Sequence, residues 1–120
     1  MRLKIFYWRE INMRLENRVA IITGGARGIG LAAVRKFVEE GAHVVIADFN
    51  ESAGKEVETA FAQNERPILF IKTDTSDRSS VENLVNQTID AYGKIDILIN
   101  NAGITKDAML HKMTEQQFDD

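Results

Sequence analysis

The chain contains no cysteine. A disulfide framework, a zinc ribbon, an iron–sulfur centre and a thiol nucleophile are therefore excluded within it. The absence suits a reducing compartment. His43 and His111 are the only two histidines and cannot build a His-rich metal site alone. A single proline, Pro67, and the lack of any low-complexity run argue against disorder. No apolar run approaches the ~18 residues that span a bilayer. In the N-terminal segment MRLKIFYWREIN the apolar part is only Ile5 to Trp8, broken by Arg9 and Glu10. That is shorter than the roughly 7–15 residues of a signal-peptide core, and no small-residue cleavage site follows. Basic residues are not in excess: 15 Lys and Arg stand against 18 Asp and Glu, for a net charge of -3. Without a basic block, nonspecific nucleic-acid or anionic-membrane binding is disfavoured. The expectation is a soluble, cytoplasmic protein with no metal site.

What is present is an ordinary globular mixture, 44% apolar and 28% charged over 120 residues, enough for one small domain. Strands and helices alternate. Arg18 to Thr23 is a β-branched run ended by glycines, the mark of a buried strand. Gly28 to Glu40 reads as a helix with Ile29, Ala33 and Phe37 on one face, stopped at Gly41. His43 to Ala47 is a second strand, and His43 reads as structural. Asn50 or Ser52 can cap the next helix, which carries Ala53, Val57, Ala60 and Phe61 on one face. Ile68 to Lys72 is a third strand. Ser76 or Asp77 can cap a third helix, whose stripe Val81, Leu84, Val85, Thr88, Ile89 and Tyr92 ends at Gly93. Asp96 to Ile99 is a fourth strand.

This β-α-β-α-β-α-β order, with continuous apolar strands and short connections, predicts parallel pairing and right-handed crossovers. The fold class is α/β, a doubly wound parallel sheet of the Rossmann type. Thr114 with Gln117 resembles a capping box that opens one more helix. A domain seldom ends there, so the chain is expected to be the N-terminal part of a longer protein. Residues 13–120 form that part of a dinucleotide-binding domain. Residues 1–12 fall outside the layout as an extension, and Met13 is the preferred natural start.

The turn Thr23-Gly24-Gly25-Ala26-Arg27-Gly28-Ile29-Gly30 joins the first strand to the first helix. A pyrophosphate must approach the backbone closely there, and side chains would obstruct it. The helix start then offers free N–H groups and the positive dipole end. Asp48 ends the second strand, 18 residues after Gly30, where a carboxylate accepts hydrogen bonds from ribose hydroxyls and repels a 2′-phosphate. A capping or solvated Asp is the alternative at that position, as a strand-end turn is for Asn100 and Asn101.

Thr-Gly-x-x-x-Gly-x-Gly at 23–30, Asp74 after the third strand and Asn100-Asn101-Ala102-Gly103 after the fourth together resemble the short-chain dehydrogenase/reductase family. The resemblance runs from Arg14 to Asp120. It implies that Gly24, Gly25, Ala26, Arg27, Gly28, Ile29 and Gly30 hold the pyrophosphate and adenosine side. It implies that Asp74 and Thr75 meet the adenine, that Asn101, Ala102 and Gly103 line the cofactor ribose, and that Asn100 braces the sheet. The stretch from Ile104 to Thr114 is similar to 3-oxoacyl-[acyl-carrier-protein] reductases, which implies a small-molecule or acyl-thioester substrate and a homo-oligomer. Reductases of that type usually take NADPH, and Arg27 could meet a 2′-phosphate. Asp48 opposes such a phosphate, so NAD is expected, with NADP the second choice.

The family's chemistry also uses a Tyr-x-x-x-Lys pair, and this sequence has none: Ile11 stands at the lysine position after Tyr7, and Asp96 after Tyr92. No catalytic residue is assigned. A non-catalytic nucleotide-binding module or a decayed gene product is the alternative function. The 120-residue chain, purified alone, should not reduce a carbonyl; detectable reduction in a cofactor-coupled assay contradicts this.

Overall fold

A computed structural model describes residues 14–101. The expected extension at 1–12, the motif residues Ala102 and Gly103, the stretch from Ile104 with His111, and the capping box at Thr114 lie outside the described residues. The elements are β1 (Val19–Thr23), α1 (Gly28–Glu39), β2 (His43–Asp48), α2 (Glu51–Ala60), β3 (Leu69–Lys72), α3 (Arg78–Tyr92) and β4 (Ile97–Ile99). All pairings are parallel, in the order β3-β2-β1-β4. The doubly wound parallel sheet expected from the alternation is therefore present.

The central strands explain the continuous apolar runs. Every residue of β1 is buried, as are the inner four of β2, because helices cover both faces. On one face Ile21, Val45, Ala47 and Ile71 pack with Val81, Leu84 and Val85 of α3. On the other, Ile22, Val44, Ile46 and Ile68 pack with Val34 of α1 and Val57 of α2. Burying each such side chain contributes about 1.5–3 kcal/mol before chain entropy is set against it.

The helix stripes hold with two corrections. In α1 the buried residues are Gly30 and Val34, while Ile29 is 82% exposed. Its first turn stands over the C-terminal end of the sheet, where no apolar surface lies beneath Ile29. In α2 the buried pair is Gly54 and Val57, and Ala60 is exposed. Ala60 lies about a quarter turn off the line through Gly54, Val57 and Phe61. Of the alternative caps, Asn50 accepts the Ala53 N–H at 3.0 Å and Asp77 accepts the Ser79 N–H at 3.1 Å. Gly93 ends α3 with φ +81°.

At the sheet edge, β3 presents backbone groups to the outside. The Glu58 carboxylate of α2 accepts the Phe70 N–H at 2.9 Å, which satisfies one edge donor and leaves less for a foreign strand. His43 stacks on Tyr92 with ring centroids 5.0 Å apart, as suits a structural role. Burial, with Arg66 and Lys94 nearby, lowers the His43 pKa.

The β1–β4 junction is pinned at its lower end by Asp96. The Asp96 carboxylate accepts the Val19 N–H at 2.8 Å and the Lys94 ammonium at 3.0 Å, while its own N–H donates to the Val19 carbonyl at 2.8 Å. Burial pushes its pKa up, but the Val19 and Lys94 hydrogen bonds and the charges of Lys94 and Arg18 outweigh this and hold it below the usual 3.8. A folded-state pKa below the unfolded one gives stability that is present above 3.8 and lost as the pH falls through the lower value. Asp96→Asn should therefore lower the denaturation midpoint at neutral pH. Its gap from the parent should close in strong acid, below 3.8. Urea titrations at the two pH values read this directly, and an unchanged gap in acid contradicts it.

Candidate functional site

A cavity of 490 Å³ opens over the C-terminal ends of β1, β2 and β3, lined by Gly24, Ala47, Asp48, Phe49, Thr73, Asp74, Thr75 and Ser76. Open parallel sheets bind ligands at this end, beside the point where strand order reverses. Here the chain runs from β1 outward through β2 to β3, then returns to the other side of β1 as β4.

The glycine turn is built by close approach. The Gly24 N–H donates to the Ala47 carbonyl at 2.8 Å, which carries the sheet ladder into the turn. A Cβ on Gly30 would stand 2.1 Å from the Gly24 carbonyl oxygen and 2.8 Å from Asn101 Nδ2. Only a residue without a side chain lets α1 start so near the end of β1. Arg27 is the extended N-cap of α1 and offers it no side-chain bond. The caps on α2 and α3 make the contrast. The first N–H groups of α1 are thus left for an acceptor from outside.

Asp48 ties the turn to the second strand. Its Oδ2 accepts the Ala26 N–H at 3.2 Å and its Oδ1 accepts the Asn50 N–H at 2.9 Å. Each carboxylate oxygen keeps a further lone pair, so the structural and ligand readings of Asp48 are compatible. On the β3 side, Asp74 Oδ1 accepts the Ser76 N–H at 2.9 Å and the Ser76 hydroxyl at 2.5 Å, and the Asp74 N–H donates to Ser80 Oγ. This closes a tight turn that stands Thr75 on the cavity wall.

At the fourth strand both Asn100 and Asn101 are exposed, and the bonds that brace the strand end are made by Asn101. The Asn101 N–H donates to Thr23 Oγ1 at 2.8 Å, and its Nδ2 donates to the Gly24 carbonyl at 3.3 Å. The Thr23 hydroxyl donates to the Ile99 carbonyl at 3.3 Å. Thr23 is fully buried, and a buried hydroxyl must find such partners.

Of the expected site residues, Gly24, Asp48, Asp74 and Thr75 meet on one cavity, and Gly25, Gly28, Gly30 and Asn101 shape its turn. Arg27 lines a neighbouring groove of 540 Å³ between α1 and α2, together with Arg35, Asn50 and Glu56. Phe49 and Thr73 line the cavity without having been singled out in the sequence, and Ser76, expected only as a helix cap, lines it too.

The family model for short chain dehydrogenase matches residues 18–120. The chain belongs to the short-chain dehydrogenase family. An uncharacterized oxidoreductase of Thermotoga maritima is 44% identical over 90 residues, 75% of this chain and 35% of that protein. The 3-oxoacyl-[acyl-carrier-protein] reductase of Chlamydia pneumoniae is 39% identical over 108 residues, 90% of this chain and 44% of that protein. A hydroxysteroid dehydrogenase from Escherichia coli superposes with a TM-score of 0.81 at 27% identity, over 88% of this chain and 54% of that one. The chain thus spans less than half the length of these curated relatives.

Two substitutions in the turn separate its constraints. Gly30→Ala should cost about 1–3 kcal/mol through the clash with Gly24. Gly28→Ala should cost only about 1 kcal/mol for its left-handed backbone, since a Cβ there meets nothing within 4 Å. Equal losses in urea denaturation contradict this ordering.

Proposed function

We propose that the natural protein carrying these residues is an NAD-dependent oxidoreductase acting on the carbonyl or alcohol group of a small molecule or acyl thioester. The observation that carries the reading is the uncapped start of α1, closed against Gly24 through Gly30, beside a carboxylate with lone pairs to spare. These features fit a dinucleotide. The bound nicotinamide supplies or accepts the hydride, and the protein orients it.

The N–H groups of the turn and of the first turn of α1 hold the pyrophosphate, aided by the helix dipole. Asp48 accepts the adenosine ribose hydroxyls through its remaining lone pairs. Asp74 and Thr75 receive the adenine, and Asn101, with Ala102 and Gly103, lines the second ribose. Residues 1–120 contain no Tyr-x-x-x-Lys, so the group that protonates the product oxygen is not assigned among them. Two relatives support an acyl-thioester substrate by their names: the Chlamydia pneumoniae reductase and a (2S)-[(R)-hydroxy(phenyl)methyl]succinyl-CoA dehydrogenase subunit from Thauera aromatica, 39% identical.

Asp48 also selects the cofactor. Two unit charges about 4 Å apart repel by about 4 kcal/mol at an effective dielectric of about 20. A 2′-phosphate would face that cost, offset in part by Arg27 in the adjoining groove. NAD is therefore preferred and NADP is the second choice.

Asp48→Ala should lower the ratio of NADH to NADPH affinity by roughly tenfold or more in fluorescence titrations of the natural protein. An unchanged ratio removes Asp48 as the selector.

A further inference from the structure

A parallel strand turns alternate residues toward each neighbour. Just past β3 the Thr73 N–H donates to the Asp48 carbonyl at 2.9 Å, toward β2. By that alternation Leu69 and Ile71 also bond toward β2, while Phe70 and Lys72 turn their backbone groups to the outer edge. An open row of this kind is a template for another strand.

α2 closes the row at Phe70 by two contacts one helical turn apart. At Gly54 the helix lies directly on the Phe70 ring, since a Cβ there would stand 2.0 Å from Phe70 Cε1. The missing side chain lets α2 sit low enough to reach past the edge. Glu58 follows four residues later on the same helix face, and its Oε2 accepts the Phe70 N–H at 2.9 Å. The ring and the amide of one edge residue are thus held by one helix.

The edge beneath fits β3 of a second copy. Two such strands related by a two-fold axis at Phe70 run antiparallel, and each Phe70 exchanges its N–H and carbonyl with the other. In that register Lys72 meets Ile68, so the two lysines do not face each other. Arg66 ahead of one strand comes toward Asp74 after the other, opposite in charge. We propose that β3 is a latent self-pairing edge, and that the Glu58–Phe70 bond, seated by Gly54, is the latch that keeps two copies from joining through it. The proposal is independent of the dinucleotide reading.

The test is sedimentation equilibrium of the natural protein over a wide concentration range, with hydrogen exchange of the Phe70 amide followed in parallel. In dilute Glu58→Ala that amide should exchange roughly tenfold faster than in the parent. As concentration rises, the variant should reach twice the parent's mass and the amide should become protected again. Glu58→Asp, one methylene too short to reach the strand, should behave in the same way and serves where Glu58→Ala does not fold. Glu58→Gln keeps an oxygen that accepts the N–H and should retain the parent's mass. Adding Lys72→Pro to Glu58→Ala removes the other outward donor of β3 at an exposed position and should abolish the association. Circular dichroism checks that each variant is folded. Folded Glu58→Ala and Glu58→Asp that keep the parent's mass at every concentration overturn the proposal. Association that survives Lys72→Pro, or that appears equally in Glu58→Gln, overturns it as well.

Discussion

The structure depends on a place where two backbone segments close on each other and leave room only for the Asn101 carboxamide. The end of β1, the start of α1 and the end of β4 converge at Gly24, Gly30 and Asn101. A single methyl group at Gly30 would lie 2.1 Å from one segment and 2.8 Å from another. Such an approach is far inside van der Waals contact, so a side chain at position 30 forces one of the segments to shift. The consequence is a helix whose first amides point over the strand ends with no side chain in front of them. That layout is the basis of the proposed pyrophosphate site, since free amides and the positive end of a helix dipole favour an anion.

The reversal of strand order makes the same place a crevice. With β2 on one side of β1 and β4 on the other, the loops leaving β1 and β4 diverge. Side chains pin the pair at both ends. Asp96 and Val19 exchange hydrogen bonds at the bottom, and Thr23 links Asn101 and Ile99 at the top. Neither contact is a ladder bond, and together they fix the register of a three-residue strand that has few ladder bonds of its own. Asp48 extends the arrangement to β2 by binding the Ala26 amide across the turn. Stability and site geometry are thus carried by the same residues.

Much of this was legible in the sequence, for physical reasons. Buried parallel strands need unbroken apolar runs, so β1 and β2 announced themselves. The glycines before α1 and after α3 could be placed because few other residues serve there. What could not be read was the rotation of each helix on the sheet. Ile29 keeps helical spacing with Ala33 and Phe37, yet it lies beyond the sheet end and is exposed. Periodicity gives the face, and only the position of the sheet says how far along the helix that face stays covered. The side-chain clasps were equally hidden. Asp96 and Thr23 bond backbone groups distant in the chain, which no local pattern encodes. Phe49 follows an acidic residue at a strand end, and nothing in the sequence distinguishes an exposed ring from a buried one there.

The central claim is that the turn from Gly24 to Gly30, with Asp48, forms the adenosine and pyrophosphate half of a dinucleotide site. Amide chemical-shift mapping of the natural protein during titration with ADP-ribose tests it most directly. The expected result is that the largest shifts fall on residues 24–30, Asp48, Phe49, Asp74 and Thr75, while the lower end of the sheet around Asp96 stays still. Shifts confined to the groove between α1 and α2, or none at saturating ligand, would contradict it.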